Sequence, residues 1–501
     1  MSEPMIVARD LTFGWDNSAQ PLFAGLSASF PRGFTGVIGA NGVGKTTLLK
    51  LLVGGLAPSS GTVQGAQGVV WCEQRTDQAP TEFQEFLADW DAQAFELRGR
   101  LGIEPEFLDR WQTLSHGERK RSQIACALWH DPQVLAIDEP TNHIDAKARA
   151  LLIDALECYR GVGLIVSHDR DLLDTLCTQC IWLEPPNTLV VPGGYTKARA
   201  QQDLNRSSAL RERDNAVRER KRLERETHKR REQAARSHQD RSKSGIAIKD
   251  HDARFKKNLA RVSGKDGQAG RLLRQLDGRA ERSQALVDAV MVNKEHDVGI
   301  WLPGSRSRRT TLLHVEAGVI ALGNGRMLKF PQLVLKPEDR VAVTGLNGLG
   351  KSTLVRHLVS QANVPVEHLT VLPQEVDAAR ARALLDEARS LPRKRLGQVM
   401  NVVSRLGSRP ERLLKSRQPS PGEMRKLLLA LGMASAPHLI VMDEPTNHLD
   451  LPSIEALEQA LADCPCALLL VSHDQRFLDA LVDVTWQIER AGNGESELTV
   501  G

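Results

Sequence analysis

No stretch of this 501-residue chain approaches the roughly 18–20 consecutive apolar residues that cross a bilayer, which excludes a helical transporter pore within it. The opening MSEPMIVARD has neither the basic nor the apolar region of a secretory leader, so a soluble, cytoplasmic protein is expected. Cysteines are few, seven, and lack the doubled pairing that a zinc site needs. Cys177 and Cys180 form a CxxC and Cys464 and Cys466 a CxC, with no second Cys/His pair beside either. Structural or incidental thiols in a reducing compartment are therefore expected. Net charge is also small, +4, but it is unevenly placed. Lys197–Arg282 holds 26 Lys and Arg against 13 Asp and Glu, and the rest of the chain holds 40 against 49. Basic charge is thus gathered in one internal segment, where it can meet a polyanion.

What is present is a duplication. GANGVGKTT at Gly39–Thr47, LSHGE at Leu114–Glu118, LAIDEPTNHID at Leu135–Asp145 and VSHD at Val166–Asp169 recur in order. The second set is GLNGLGKST at Gly345–Thr353, PSPGE at Pro419–Glu423, IVMDEPTNHLD at Ile440–Asp450 and VSHD at Val471–Asp474. Matched positions are 305 or 306 residues apart throughout, a register that chance matches would not keep.

Each set reads as a nucleotide site. The strand-like Thr35–Ile38 enters the GxxxxGK[ST] loop, and a helix-like Leu48–Val53 follows it, the context this motif requires. The loop residues Gly39, Ala40, Asn41, Gly42, Val43, Gly44, Lys45, Thr46 and Thr47 can wrap backbone N–H groups around phosphate oxygens. Gly345, Leu346, Asn347, Gly348, Leu349, Gly350, Lys351, Ser352 and Thr353 repeat the arrangement. Lys45 and Lys351 are expected to reach the β/γ-phosphates, and Thr46 and Ser352 to ligate Mg²⁺. Four apolar residues ending in Asp138, and again in Asp443, describe a buried strand delivering a carboxylate to that metal. Glu139 and Glu444 follow as candidate general bases. His168 and His473 each close an apolar strand and place an imidazole near the γ-phosphate. Gln74 and Gln374, between loop and signature, can bridge Mg²⁺ and the attacking water. ATP and Mg²⁺ are the expected ligands.

These motifs resemble the ATP-binding-cassette superfamily, and the EPTNH[IL]D continuation with GGYTK at Gly193–Lys197 resembles its ABC-F branch. The resemblance implies an α/β fold of two P-loop ATP-binding cassette domains joined by a long α-helical hairpin linker. It implies ATP hydrolysis and a cytosolic monomer whose cassettes pair within the chain. It also implies a ribosomal partner, docked near the E site with the linker toward P-site tRNA, serving translation or antibiotic resistance. Two composite sites follow from it. One joins Lys45, Gln74, Asp138, Glu139 and His168 to Ser420 and Gly422; the other joins Lys351, Gln374, Asp443, Glu444 and His473 to Ser115 and Gly117. The signatures depart from the family's LSGGE, with His116 in one and Pro419 and Pro421 in the other. Pro421 has no N–H to offer phosphate but suits the first turn of a helix. Trp15 takes the place of the adenine-stacking aromatic in the first cassette and Leu322 in the second, so unequal sites are expected. The 70 or 69 positions between loop lysine and signature serine leave no room for an inserted arm, so the chain resembles the armless members.

Expected boundaries are 1–196 and 296–501 for the cassettes and 197–295 for the linker. Lys197 to about Arg241 contains no Pro or Gly and is rich in helix formers. Leu204, Leu210, Val217 and Leu223 give it a thin apolar seam, with Leu272, Leu273, Leu276, Leu286 and Val290 as the returning face. Lys249, Arg254, Lys256, Lys257 and Arg261 are the candidate RNA-binding residues of a basic tip. Two other classes remain open: a DNA-associated ATPase, since charge does not tell DNA from RNA, and the tandem ATPase subunit of a membrane importer.

Overall fold

A computed structural model describes residues 5–16, 21–240 apart from His143 and Pro186, seven positions between 275 and 285, and 305–501. Within the last range, 324, 375, 409, 417–419 and 493–494 are excepted. The chain forms two compact units, 1–199 together with 295–501, and 200–294.

The first unit holds both cassettes, each built on a mainly parallel sheet. In the first, the strands Val69–Cys72, Val134–Asp138, Val162–Val166, Gly33–Gly39, Cys177–Glu184 and Asn187–Pro192 lie side by side in that order. The strands Val134–Asp138 (VLAID) and Val162–Val166 (VGLIV) are buried along their whole length. Continuous apolar runs of this kind belong in a parallel sheet covered on both faces. One face packs on Phe83, Phe86, Trp111 and Ile124; the other packs on Leu48, Leu52, Phe13 and Phe30. The second cassette repeats the plan in an eight-stranded sheet, in which Gly345 ends the strand that lies between Ala467–Val471 and Val484–Gly492. Registry puts Asp138 beside Val166 and Asp443 beside Val471. Each DE pair and each following SHD run therefore emerge together at the carboxyl ends of adjacent strands, where open α/β sheets bind ligands. Between Cys72 and Ser115 there are only two short helices and two single turns of 3₁₀ helix, with no inserted arm.

The helix Tyr195–Asp240 runs unbroken over 46 residues, about 69 Å at 1.5 Å per residue, and from Ala200 onward it belongs to the second unit. Leu223 is buried and Leu204 exposed, so the seam closes along part of its length only. Arg279 of the returning segment lies 3.1 Å from Glu219, and Gln284 accepts a bond from Arg220. Lys249, Arg254, Lys256, Lys257 and Arg261, and the apolar positions 272, 273, 276, 286 and 290, lie outside the described residues.

One sequence expectation is corrected here. Cys464 and Cys466 are not incidental thiols but are joined in a disulfide, both buried just before the strand Ala467–Val471. A CxC places its two cysteines close in the chain, and here their Cα atoms are 5.5 Å apart, within the range a disulfide spans. Cys177 and Cys180 remain free and buried.

Candidate functional site

Each phosphate loop starts where its strand ends and closes on a helix N-terminus. Gly44 and Gly350 take φ near +102° and +101°, a backbone that side chains rarely adopt. A Cβ on Gly350 would also lie 2.5 Å from Leu322 Cδ2. Lys45 Nζ donates to the carbonyls of Gly39 (3.0 Å) and Ala40 (3.3 Å) and to Asn41 Oδ1 (3.3 Å). Lys351 Nζ does the same to Gly345 (2.8 Å), Leu346 (3.2 Å) and Asn347 Oδ1 (3.3 Å). Both ammoniums are thus folded over their own loops, ready to turn toward an anion.

Thr46 Oγ1 donates to Asp138 Oδ2 at 2.8 Å, and Ser352 makes the matching bond to Asp443. Burial pushes both carboxyls above their ordinary range. A hydroxyl beside a buried carboxylate is a hard-oxygen pair that a divalent cation fits, since its charge would relieve the burial.

Glu139 and Glu444 are held in the left-handed region at φ 48° and 49°, where non-glycine residues are strained and function commonly resides. Their N–H groups bond Val166 O (2.9 Å) and Val471 O (2.8 Å), which aims the side chains at the histidine loops. His168 Nε2 stands 3.2 Å from Glu139 Oε1, and His473 Nε2 3.4 Å from Glu444 Oε1. Neither contact has hydrogen-bond geometry, so one oxygen of each glutamate keeps its accepting capacity. Burial pushes Glu139 up to about 8 and Glu444 up to about 7. Burial, helped by Lys351, holds His473 down at about 4, and burial with Lys45 holds His168 well below its usual value. Both imidazoles are neutral near pH 7.

A stability test follows. Ionising a raised carboxyl penalises the folded state, so stability is full below the ordinary value of 4.5 and is lost as pH rises toward 7–8. Glu139→Gln with Glu444→Gln is expected to match the parent's Tm near pH 4.5 and to exceed it increasingly up to about pH 8. Thermal unfolding without nucleotide at a series of pH values measures this; a pH-independent difference would sink it.

Sequence reasoning gives no role to Asp145 or Asp450 beyond closing their motifs, yet these residues join the cassettes. Asp450 caps its helix at Ser453 N (3.0 Å) and accepts Asn41 N of the opposite phosphate loop at 2.6 Å. Asp145 caps at Ala148 N (2.9 Å) and accepts Asn347 N at 3.2 Å. Each phosphate loop therefore faces the EPTNH[IL]D end of the other cassette. A cavity of about 450 Å³ lies between them at the second loop. Lys351, Ser352, Gln374, Asp443, Glu444 and His473 line one side, with Thr141, Asn142 and His168 opposite. Ser115 and Gly117, expected across from Lys351, do not line this cavity. Ser115 is engaged in a capping box with Glu118, as Ser420 is with Glu423, and a Cβ added to Gly117 would stand 3.2 Å from Ile144 of its own cassette. Pro421 occupies the first helical turn, where proline is tolerated. Leu322 lines the cavity together with Arg326, a residue the sequence did not single out, whose Nη1 donates to Gly348 O at 3.2 Å. Trp15 is 54% exposed and edge-on to Phe13. Gln74 is exposed, two residues past the strand Val69–Cys72.

A second missed pair is Lys120 and Arg425. Lys120 Nζ donates to Glu73 O (2.6 Å) and Asp138 O (3.2 Å); Arg425 donates to Pro373 O (3.2 Å) and Asp443 O (3.0 Å). Each ties its signature helix to the strand that ends in Asp138 or Asp443 and to the glutamine loop. Matched basic residues at the 305 offset were the available signal.

Two phosphate loops, each facing the EPTNH[IL]D end of the other cassette across a shared interface, define a tandem ATP-binding-cassette ATPase. The family model described as "ABC transporter" matches residues 24–142 and 328–447. The ATP-binding protein Uup of Caulobacter vibrioides is 31% identical over 98% of this chain and 78% of its own. The ribosome protection protein VmlR of Bacillus subtilis is 27% identical over 92% and 82%. A solved structure of RNase-L Inhibitor shares the fold at a TM-score of 0.61 and 18% identity, covering 98% of this chain and 90% of that one. The chain belongs to the ABC-F family, and it is an ATP-binding protein that hydrolyses ATP. Among the described residues no helix is long and apolar enough to cross a membrane.

Proposed function

We propose that this ATPase closes its two cassettes on two ATP molecules and docks on the ribosome, near the E site with the linker toward P-site tRNA, to modulate translation or protect against antibiotics. The observation that carries this reading is the reciprocal latch, Asn41 to Asp450 and Asn347 to Asp145. It makes each phosphate loop sense the other cassette, in a chain whose intervening segment Lys197–Arg282 alone carries a surplus of 13 positive charges.

In this reading Thr46 with Asp138, and Ser352 with Asp443, would hold Mg²⁺, assisted by Gln74 and Gln374, and the bound cation would supply charge neutralisation to the phosphates. Glu139 and Glu444 each present a partnerless oxygen to accept the proton of the attacking water. His168 and His473, kept neutral, offer Nε2 without adding charge. Lys45 and Lys351 swing from loop carbonyls to the phosphates, and the backbone of 39–47 and 345–353 cradles them. Ser115, Gly117, Ser420 and Gly422 complete the sites across the interface on tighter closure. Trp15 holds adenine by stacking at the first site, whereas Leu322 offers only apolar contact at the second. Lys249, Arg254, Lys256, Lys257 and Arg261 meet RNA phosphates.

The test is sucrose-gradient sedimentation of a cell extract with a non-hydrolysable ATP analogue. Co-sedimentation with ribosomes, dependent on the analogue, is expected. Sedimentation with membranes would favour the importer subunit, and release into the soluble fraction with DNA affinity would favour a DNA-associated ATPase.

A further inference from the structure

The two cassettes meet across an interface that duplication makes equivalent in position but not in chemistry. Val166–Leu176 reads VSHDRDLLDTL and Val471–Leu481 reads VSHDQRFLDAL. At the 305-residue offset Asp171 matches Arg476, and Arg170 matches Gln475. Arg476 bonds Asp171 directly. A residue in contact with its own duplicate marks the pseudo-twofold axis between the cassettes.

The neighbouring ion pairs are not duplicated across that axis. Arg170 of the first cassette reaches Glu458 (2.9 Å) and Asp474 (3.4 Å) of the second. At the same offset Gln475 stands for Arg170, and Ile153 and Asp169 stand for Glu458 and Asp474, so with no cation at 475 the matching ion pairs cannot form. Arg476 also reaches Asp174 at 2.7 Å, and Arg149 flanks Asp171 at 2.9 Å within the first cassette. Packing shows the same asymmetry. Leu451 is fully buried in the first cassette's core cluster, whereas its counterpart Ala146 borders a cavity of about 390 Å³ beside the second phosphate loop.

We propose that this strip is a pairing code, which lets the first cassette close on the unlike cassette and rejects a like cassette from another copy. Two first cassettes would set Asp171 against Asp171, and two second cassettes Arg476 against Arg476. Repulsion on the axis and the loss of the Arg170–Glu458 pair both act against those arrangements. Specificity of this kind comes as much from penalising the wrong partner as from favouring the right one.

The test uses the full chain in the Glu139→Gln, Glu444→Gln background with ATP, and reads cassette pairing by X-ray scattering. Arg476→Asp creates in one chain the carboxylate pair that two first cassettes would present; Asp171→Arg creates the guanidinium pair. Each single change is expected to lower the paired fraction at least about threefold, and the charge swap to recover most of it. Recovery stays incomplete because Arg149 and Asp174 remain. Since a like-charge variant can misfold, the neutral set Asp171→Asn, Arg476→Gln and both together is measured beside it, with circular dichroism as a fold control. The neutral double variant is expected to pair no worse than the poorer single. Parental pairing in both like-charge variants, or a swap no better than the poorer single, overturns the proposal. The proposal rests on cassette closure, not on what closure drives. Lost pairing with ATP turnover intact in the hydrolysis-competent chain would leave it standing and sink the closure-driven hydrolysis of the proposed function.

Discussion

Changing Glu139 and Glu444 together to glutamine is expected to lower steady-state ATP turnover at least about 100-fold, the range in which a positioned general base contributes. Both glutamates are buried and strained, each with an oxygen that no protein donor satisfies, so the site is built around that acceptor. An amide keeps the shape, and its carbonyl can still accept the backbone N–H that His168 gives Glu139 at 3.3 Å. It cannot take a proton from water. ATP binding should therefore survive, and the nucleotide-sandwiched pair should accumulate on its target. Phosphate release measured alongside equilibrium ATP binding decides the matter. Undiminished turnover in the double variant would remove the assigned bases.

The second large effect concerns the linker. Replacing Lys249, Arg254, Lys256, Lys257 and Arg261 by glutamine removes five positive charges while keeping residues that tolerate helix. If all five meet phosphates, the slope of log affinity against log salt should flatten by about 3.5–4.5, at 0.7–0.9 per contact. Ribosome affinity at moderate salt should drop more than about tenfold. ATP turnover without ribosomes should be unchanged, because the phosphate loops lie in the other compact unit. Affinity and slope equal to the parent's would leave the linker a tether and weaken the case for RNA contact.

Much of this molecule was legible in the chain itself. Phosphate loops, DE pairs and terminal histidines are local constellations: a strand, a glycine-bearing turn and a helix start set their geometry within a few residues. Running apolar strings such as VLAID and VGLIV could only be buried parallel strands. The long linker helix followed from the absence of Pro and Gly over some 45 residues. In each case the responsible physics acts between sequence neighbours, so the sequence alone determined the element.

Tertiary structure decided what depends on distant partners. That Asp145 and Asp450 latch the opposite phosphate loops, and that Lys120 and Arg425 anchor the strands ending in Asp138 and Asp443, required contacts between residues tens to hundreds of positions apart. The bridging of Cys464 to Cys466 depended on the backbone bringing their Cα atoms to 5.5 Å, which spacing in the sequence does not fix. The one-handed charge pattern was printed in the sequence as Asp171 and Arg476, but it meant nothing until folding set a residue against its own duplicate. A charge acquires a sign of interaction only from what stands opposite it, and packing alone chooses that neighbour.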